Sequence, residues 1–518
     1  MYTAKTAFLA TLLAASSLTA TPALAQSDDG EMAQLRAEVA ALKQQLAAIS
    51  AKLDAVAAAP VTTATAPAAE KKGGPEIKFK GAPEITTADG WSFKPRGRIH
   101  YDTGYISIPG ALNNTRNLGF NSRVRRVRLG AEGNMPGGFG YKVEVDFANA
   151  ATSFGEVFLT YADKSGFSAK LGNFDTLSGL EQISSSNNTS FIERAAFNDA
   201  FLNSRRLGGA VAYNDKSKDV RLEAGLFAGH SIDSSFDNDG WIGATRLVYA
   251  PKALGGQLHF GLNYQHREFA SNNGGATSTG ANQFSTNQLA RYRARPNSQL
   301  TDVRFIDTGS FAAKSDQILG IEAAGIFDSL YISGEAQWLK AKAYDAGDIV
   351  TGLDAFSGGN LAVTPTGNPG FFGAYGEIGY FLTGETRGYK HGEGVWNRTK
   401  VKNPLGSGGI GAVQISGRFE YMDLDDPALK NGVTNNFNNG TSSLATMNSR
   451  LGRGGTQSSY MFGLNWQPID YIRFLFNYAR VDVEGGPIAI SVQPLSTQPI
   501  DARDYGVDVF AARMQIEF

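Results

Sequence analysis

From about Gly90 to its last residue the chain keeps a two-residue period, and this alternation constrains the fold more than any other feature. Tyr141, Val143, Val145 and Phe147 alternate with Lys142, Glu144 and Asp146, and Leu258, Phe260, Leu262 and Tyr264 alternate with His259, Gly261 and Asn263. The pattern returns at Val413, Ile415, Phe419 and Tyr421, and again at Tyr460, Phe462, Leu464 and Trp466. One such strand could belong to a soluble, half-buried sheet. A run this long needs something to cover its apolar faces, and no helical segment is left in the sequence to do so. Sixteen segments fit the period, beginning with 92–106, 121–134 and 139–148 and ending with 458–467, 471–484 and 504–518; bacterial barrels require an even number. Short Pro-, Gly-, Asp- and Asn-rich turns such as 135–138 and 468–470 alternate with long polar loops at 175–205, 269–314, 344–370 and 425–457. Turns on one rim and loops on the other predict an all-β, sixteen-stranded antiparallel transmembrane β-barrel. The connection Thr383–Gly411 breaks the rule, being long on the short-turn side.

The two ends of the chain agree with export to a membrane. Lys5, the apolar stretch Ala7–Leu18 and Ala23-Leu24-Ala25 occur in the order of a signal peptide, which assigns residues 1–25 to one. At the other end Phe510, Ala512, Met514, Ile516 and Phe518 share a face, and a terminal Phe resembles the signal read by barrel assembly machinery. There is no Cys, which excludes thiol catalysis, disulfides and thiolate metal sites. No later stretch approaches the roughly 18 apolar residues of a spanning helix.

Between the signal peptide and the barrel, Met32, Leu35, Val39, Leu42, Leu46, Ile49, Leu53 and Val56 are spaced three and four apart. That heptad seam predicts an N-terminal coiled-coil helix in the periplasm over residues 26–56; a lone amphipathic helix is the alternative. Residues 57–76 are rich in Ala, Thr, Pro and Gly and read as a linker, so that the barrel occupies 77–518.

Charge placement follows from parity. An Arg or Lys facing lipid costs roughly 2–4 kcal/mol at the midplane, so Lys94, Arg96, Arg98 and His100 must face the lumen. Val127, Leu129 and Ala131 then point to lipid and put Arg126 and Arg128 inside, forming a basic wall. The same parity brings Lys142, Lys170, Arg246 and Arg267 inside, but also Glu144, Asp146, Glu335 and Glu377. The interior is therefore mixed overall and basic locally, which suits either a weakly biased or an unselective pore. Five His and no HExxH, GxSxG or P-loop spacing give no support for an enzyme, and neither a metal, a cofactor nor nucleic acid is expected.

Several stretches resemble the phosphate-selective (O/P-type) outer-membrane porins: 77–104, VRRVRLGAEG (124–133), LGNFDTLSGLEQISSSNNTSFIERA (171–195), FLTGETRGYK (381–390) and 462–481. The resemblance implies a homotrimer of sixteen-stranded barrels whose third external loop, 175–205, folds inward as a constriction. It also implies pore-lining cations. Lys78, Lys80 and Lys94 fall on lysines near the periplasmic mouth, and Arg98 falls on a wall arginine. Arg125 and Arg126 fall on paired arginines, although parity directs Arg125 towards lipid or the rim. Arg291, Arg293 and Arg295 resemble a basic run in the fifth external loop. The constriction loop carries Asp175, Glu181, Gln182, Asn187 and Arg194. Gln182 and Asn187 stand where phosphate-specific members have lysines, Gly155 replaces an acidic residue, and Asp175 adds a negative charge. The expectation is an outer-membrane channel for small anions such as phosphate. A non-selective porin is one alternative. The other is an envelope tether in which residues 26–75 contact the cell wall.

Overall fold

The computed structural model describes residues 74–109, 117–148, 151–232, 239–270, 289–344, 363–438, 441–446, 453–492 and 497–518. In addition Ala40, Lys43, Gln44, Ala47 and Ala51 are helical and exposed. The chain divides into two compact units, Met1–Lys71 and Lys72–Phe518. The signal peptide, the heptad residues and nearly all of the linker lie outside the described residues.

In the second unit the alternating segments form sixteen long strands. The first eight are β1 (Ser92–Ile106), β2 (Gly119–Met135), β3 (Phe139–Asp146), β4 (Ser153–Ala162), β5 (Phe167–Asp175), β6 (Arg205–Asn214), β7 (Val220–Ala228) and β8 (Trp241–Tyr249). The remainder are β9 (Gly256–Glu268), β10 (Phe311–Phe327), β11 (Leu330–Ala343), β12 (Gly370–Phe381), β13 (Ala412–Asp423), β14 (Thr456–Ile469), β15 (Ile472–Glu484) and β16 (Asp504–Glu517). Each pairs antiparallel with the next, and β16 returns to β1 from Val509↔Ile106 to Glu517↔Arg98, which closes the barrel. Closure leaves no sheet edge, the condition for strands in hydrocarbon.

Burial is inverted relative to a soluble sheet. Leu129, Val143, Leu171, Phe260, Ile321 and Phe462 are exposed on the outside, whereas Arg128, Glu144, His259, Glu322 and Arg418 of the opposite parity are buried inside. Ahead of β1, Glu76–Phe79 and Pro83–Thr86 form a small hairpin joined to it through Ile85↔Phe93. Phe518 extends the closing ladder by exchanging hydrogen bonds with Gly97 (N–H to O distances 3.0 and 3.1 Å). Its ring lies on Gly97, where a Cβ would come within 2.1 Å of ring carbon, so a side chain there has to displace the ring.

Parity fails at Arg125 on β2. The β1–β2 register shifts between His100 and Tyr101, pairing His100 with Arg126 and Tyr101 with Val124. Arg125 is the extra residue of this bulge, and it turns into the lumen beside Arg126 to meet Glu193 rather than facing lipid or the rim. Beyond the bulge the outward parity switches, so that Val124 and Phe120 are exposed as Leu129 is.

Three connections enter the barrel. The loop from β5 to β6 does so. The loop from β9 to β10 also does, through residues 289–310, and so does the long periplasmic connection from β12 to β13. Their apolar residues, among them Phe191, Phe197, Tyr292 and Phe305, pack with Phe371, Met422 and Leu475 of the wall into a cluster inside the barrel.

Candidate functional site

The constriction loop leaves β5 at Asp175 and rejoins β6 at Arg205, and an ion pair of 3.2 Å between these two residues closes its base. Two short helices, Leu180–Ile183 and Ala196–Ala200, shape it. Its first arm is fixed to one side of the wall. The Glu181 N–H donates to Glu335 (2.8 Å), and the Glu181 carboxylate accepts from the Ala195 N–H (2.8 Å) while pairing with Arg418 (2.5 Å). Arg418 also pairs with Glu377 and with Glu420 (3.0 Å), and Glu420 accepts from the Ala196 N–H (3.1 Å). Glu181 is thus a structural anchor that shares the Arg418 guanidinium with two further carboxylates. Gln182 donates to Asp175 (2.9 Å), and Arg194 donates to the carbonyls of Glu181 and Ser184 (2.9 and 2.8 Å). Asn187, at the tip, accepts from His100 Nε2 (3.0 Å) through its side-chain oxygen and donates to Glu517 through its side-chain nitrogen.

The basic wall of β1 and β2 faces this loop, but most of its charge is matched. Glu144 accepts from Arg98 (2.9 Å) and Arg128 (2.8 Å), and Asp146 takes a second donor of Arg128 (2.7 Å). Arg98 also reaches Ser186 of the loop (3.2 Å). Arg96 pairs with Glu132 (2.6 Å), and Arg513 with Asp102 (2.6 Å). Glu193 of the loop receives both Arg125 (3.2 Å) and Arg513 (3.1 Å). Burial alone would raise the Glu193 carboxyl, but the guanidiniums of Arg125, Arg513 and Arg126 outweigh it and hold it at about 2. Arg126 is the exception. It is 7% exposed, enters no ion pair among the described residues, and its Nε is buried without a hydrogen-bond partner. Beside it His100 Nδ1 and Gln515 Oε1 are likewise unpartnered, on the two strands that follow around the wall.

The remaining expected cations stand at the two mouths. Lys78 and Lys80 lie on the N-terminal hairpin, exposed and paired with Glu76 (3.0 Å) and Glu84 (2.7 Å), and Lys94 donates to the Lys80 carbonyl (2.9 Å). At the external mouth Arg291 pairs with Asp307 (2.5 Å), and Arg295 and Arg304 share Asp199 of the constriction loop (2.9 and 2.5 Å). Arg293, between them, makes no ion pair among the described residues. This segment spans the mouth: Asn297 donates to Glu420 on β13 (2.6 Å), while the Leu300 carbonyl accepts from Asn121 on β2 (2.7 Å). The basic run is therefore a strut as well as a charge cluster.

The periplasmic connection, read from the sequence only as an irregularity, is the third builder of the site. Tyr389 bonds His259 of β9 (2.7 Å), the Gly394 carbonyl accepts from Arg246 of β8 (2.8 Å), and Arg398 pairs with Glu517 of β16 (2.7 Å). It crosses the lumen beneath the constriction loop. The bulky apolar Val395 and Trp396 in an otherwise polar connection were the available sign that it packs against protein.

A family profile, phosphate-selective porin O and P, matches residues 93–486. An uncharacterized protein of Caulobacter vibrioides is 34% identical over 462 residues, covering 87% of this chain and 79% of its own. Porin O of Pseudomonas aeruginosa is 27% identical over 372 residues, 68% of this chain and 77% of its own. Among solved structures the anion-selective porin from Comamonas acidovorans superposes with a TM-score of 0.45 at 12% identity, covering 83% of this chain and all of that one.

Proposed function

The chain belongs to the phosphate-selective porin O and P family of outer-membrane channels, and on that premise we propose that it conducts small anions, phosphate or related oxyanions, by facilitated diffusion as a homotrimer. The observation that carries this reading is Arg126, a lumen-wall guanidinium that enters no ion pair among the described residues and whose Nε is buried without a hydrogen-bond partner. A guanidinium stays charged at physiological pH and offers a planar fork to oxyanions. Lys94 and Arg293, also free of ion pairs among the described residues, stand towards opposite mouths. Weak sites in series let an ion pass, where one strong site would trap it.

A planar-bilayer reversal potential in a salt gradient tests the reading. Wild type should be anion-selective, and Arg126→Ala with Arg98→Ala should move the potential towards cations and weaken phosphate block of chloride current. A cation-selective wild-type channel would overturn it. The second reading, a non-selective porin, is favoured by the heavy pairing of the wall and by Gln182 and Asn187, which are neutral where the family resemblance expects lysines. Recognition of Phe518 by assembly machinery and cell-wall contact by residues 26–75 belong to the same proposal; binding of the isolated segment to peptidoglycan tests the latter.

A further inference from the structure

The tip of the constriction loop presents four consecutive backbone carbonyls, and each is met by a side chain. The Asn187 carbonyl accepts from Arg473 and from Gln515 (3.1 Å), Asn188 from Arg387 (2.7 Å), Thr189 from Arg473 (3.1 Å) and Ser190 from Asn465 (2.8 Å). Three of these donors stand on wall strands. Arg387 does not: it comes from the periplasmic connection. Its second prong donates to Ser190 Oγ (2.7 Å), which is itself 2.6 Å from the Tyr331 hydroxyl. Arg387 is 5% exposed, and its guanidinium lies against the rings of both Tyr331 (4.8 Å) and Trp396 (4.7 Å). Two more contacts join the same elements: the Trp396 N–H donates to Ser184 Oγ (2.8 Å), and Asn188 Nδ2 donates to the Trp396 carbonyl (3.3 Å). Glu385, fully buried, holds the root of the connection by accepting from the Lys402 N–H (3.1 Å) and Thr383 Oγ1.

We propose that Arg387 is a positioning residue of the permeation path, a clamp through which the periplasmic connection fixes the tip of the constriction loop. The side chain is held by two aromatic rings and by two donors engaged on the loop, with only its Nε unpartnered, which is the use of a rigid fork rather than of a mobile charge offered to ions. A loop of this length with little regular structure opens locally unless such contacts hold it. The pore's narrowest part is then set from the periplasmic side as well as by the wall. The inference rests on the channel reading but not on which ion is carried.

Single-channel recording of the full chain tests it, with heat-resistant trimer as the folding control. Arg387→Ala should raise the population of displaced-loop states about tenfold, read as increased open-channel current variance and brief sub-conductance steps. Arg387→Lys keeps the charge but loses the fork, so the noise should rise while the reversal potential stays at the wild-type value. A quiet Arg387→Lys channel of wild-type conductance overturns the clamp, whatever Arg387→Ala does. If neither variant assembles, Ser190→Ala removes one prong's acceptor together with its contact to Tyr331, and a wild-type recording from it overturns the clamp equally. A wild-type protein with no conductance would instead refute the channel reading.

Discussion

Glu144 decides how much of the basic wall a permeating ion can meet. It stands between Arg98 and Arg128, buried with both, and together with Asp146 balances the charge of the pair. Glu144→Gln should leave buried Arg98 without its carboxylate and Arg128 with Asp146 alone, at a cost of up to roughly 3–5 kcal/mol where no water replaces it. The expected outcome is a lower melting temperature of the trimer together with a reversal potential shifted further towards anions. Arg126→Ala, by contrast, removes a cation with no partner, so selectivity should fall with little loss of heat resistance; equal stability losses in the two variants would refute this account of the wall. The same logic governs position 182. Gln182 already donates to Asp175, so a lysine introduced there would be neutralised in place. Gln182→Lys should therefore change phosphate block of chloride current little, whereas Gln182→Lys with Asp175→Asn should strengthen it several-fold, measured as the phosphate concentration that halves the current.

At the level of elements, lipid explains what could be read from the sequence. A strand in hydrocarbon must alternate along its whole length, and it was this enforced regularity that placed β1, β7 and β11 at their observed residues. The bulge at Arg125 escaped because a single inserted residue leaves alternation intact on either side and only changes its phase. The inward course of residues 289–310 and 383–411 escaped for a different reason: a loop filling a polar lumen has the composition of a loop in water. Tyr292, Phe305 and Trp396, each almost fully buried, were the residues that did not fit a solvated loop. Two variants test the strand assignment and the closing seam. Val143, outward and exposed, should tolerate no charge: Val143→Arg should cost roughly 2–4 kcal/mol near the midplane, seen as loss of the heat-resistant band. Gly97→Leu should displace the Phe518 ring that lies on Gly97 and slow assembly without affecting secretion, the same phenotype as deletion of Phe518. Normal assembly of Gly97→Leu would show that the terminal ring contributes nothing to closure.

For the molecule as a whole, the barrel is complete within one chain. All sixteen strand pairs of the wall, including the closing pair of β16 with β1, come from residues after Ser92, and the unit that contains them begins at Lys72. Residues 26–71 should therefore be dispensable for closure, for insertion and for the single-pore conductance. A chain with the signal peptide joined directly to Lys72 should give channels of wild-type amplitude, noise and reversal potential in a planar bilayer. Any role of the heptad residues would then lie between protomers or towards the cell wall, since a seam of Leu35, Leu42 and Ile49 buries apolar area only when helices meet. If three such helices associate, truncation should lower the temperature at which the trimer dissociates and leave that at which the barrel unfolds unchanged, the two being separable by gel mobility on heating. If the truncated chain instead fails to close, or closes with an altered conductance, the N-terminal unit takes part in forming the channel, and the barrel is not the independent body that its strand pairing describes.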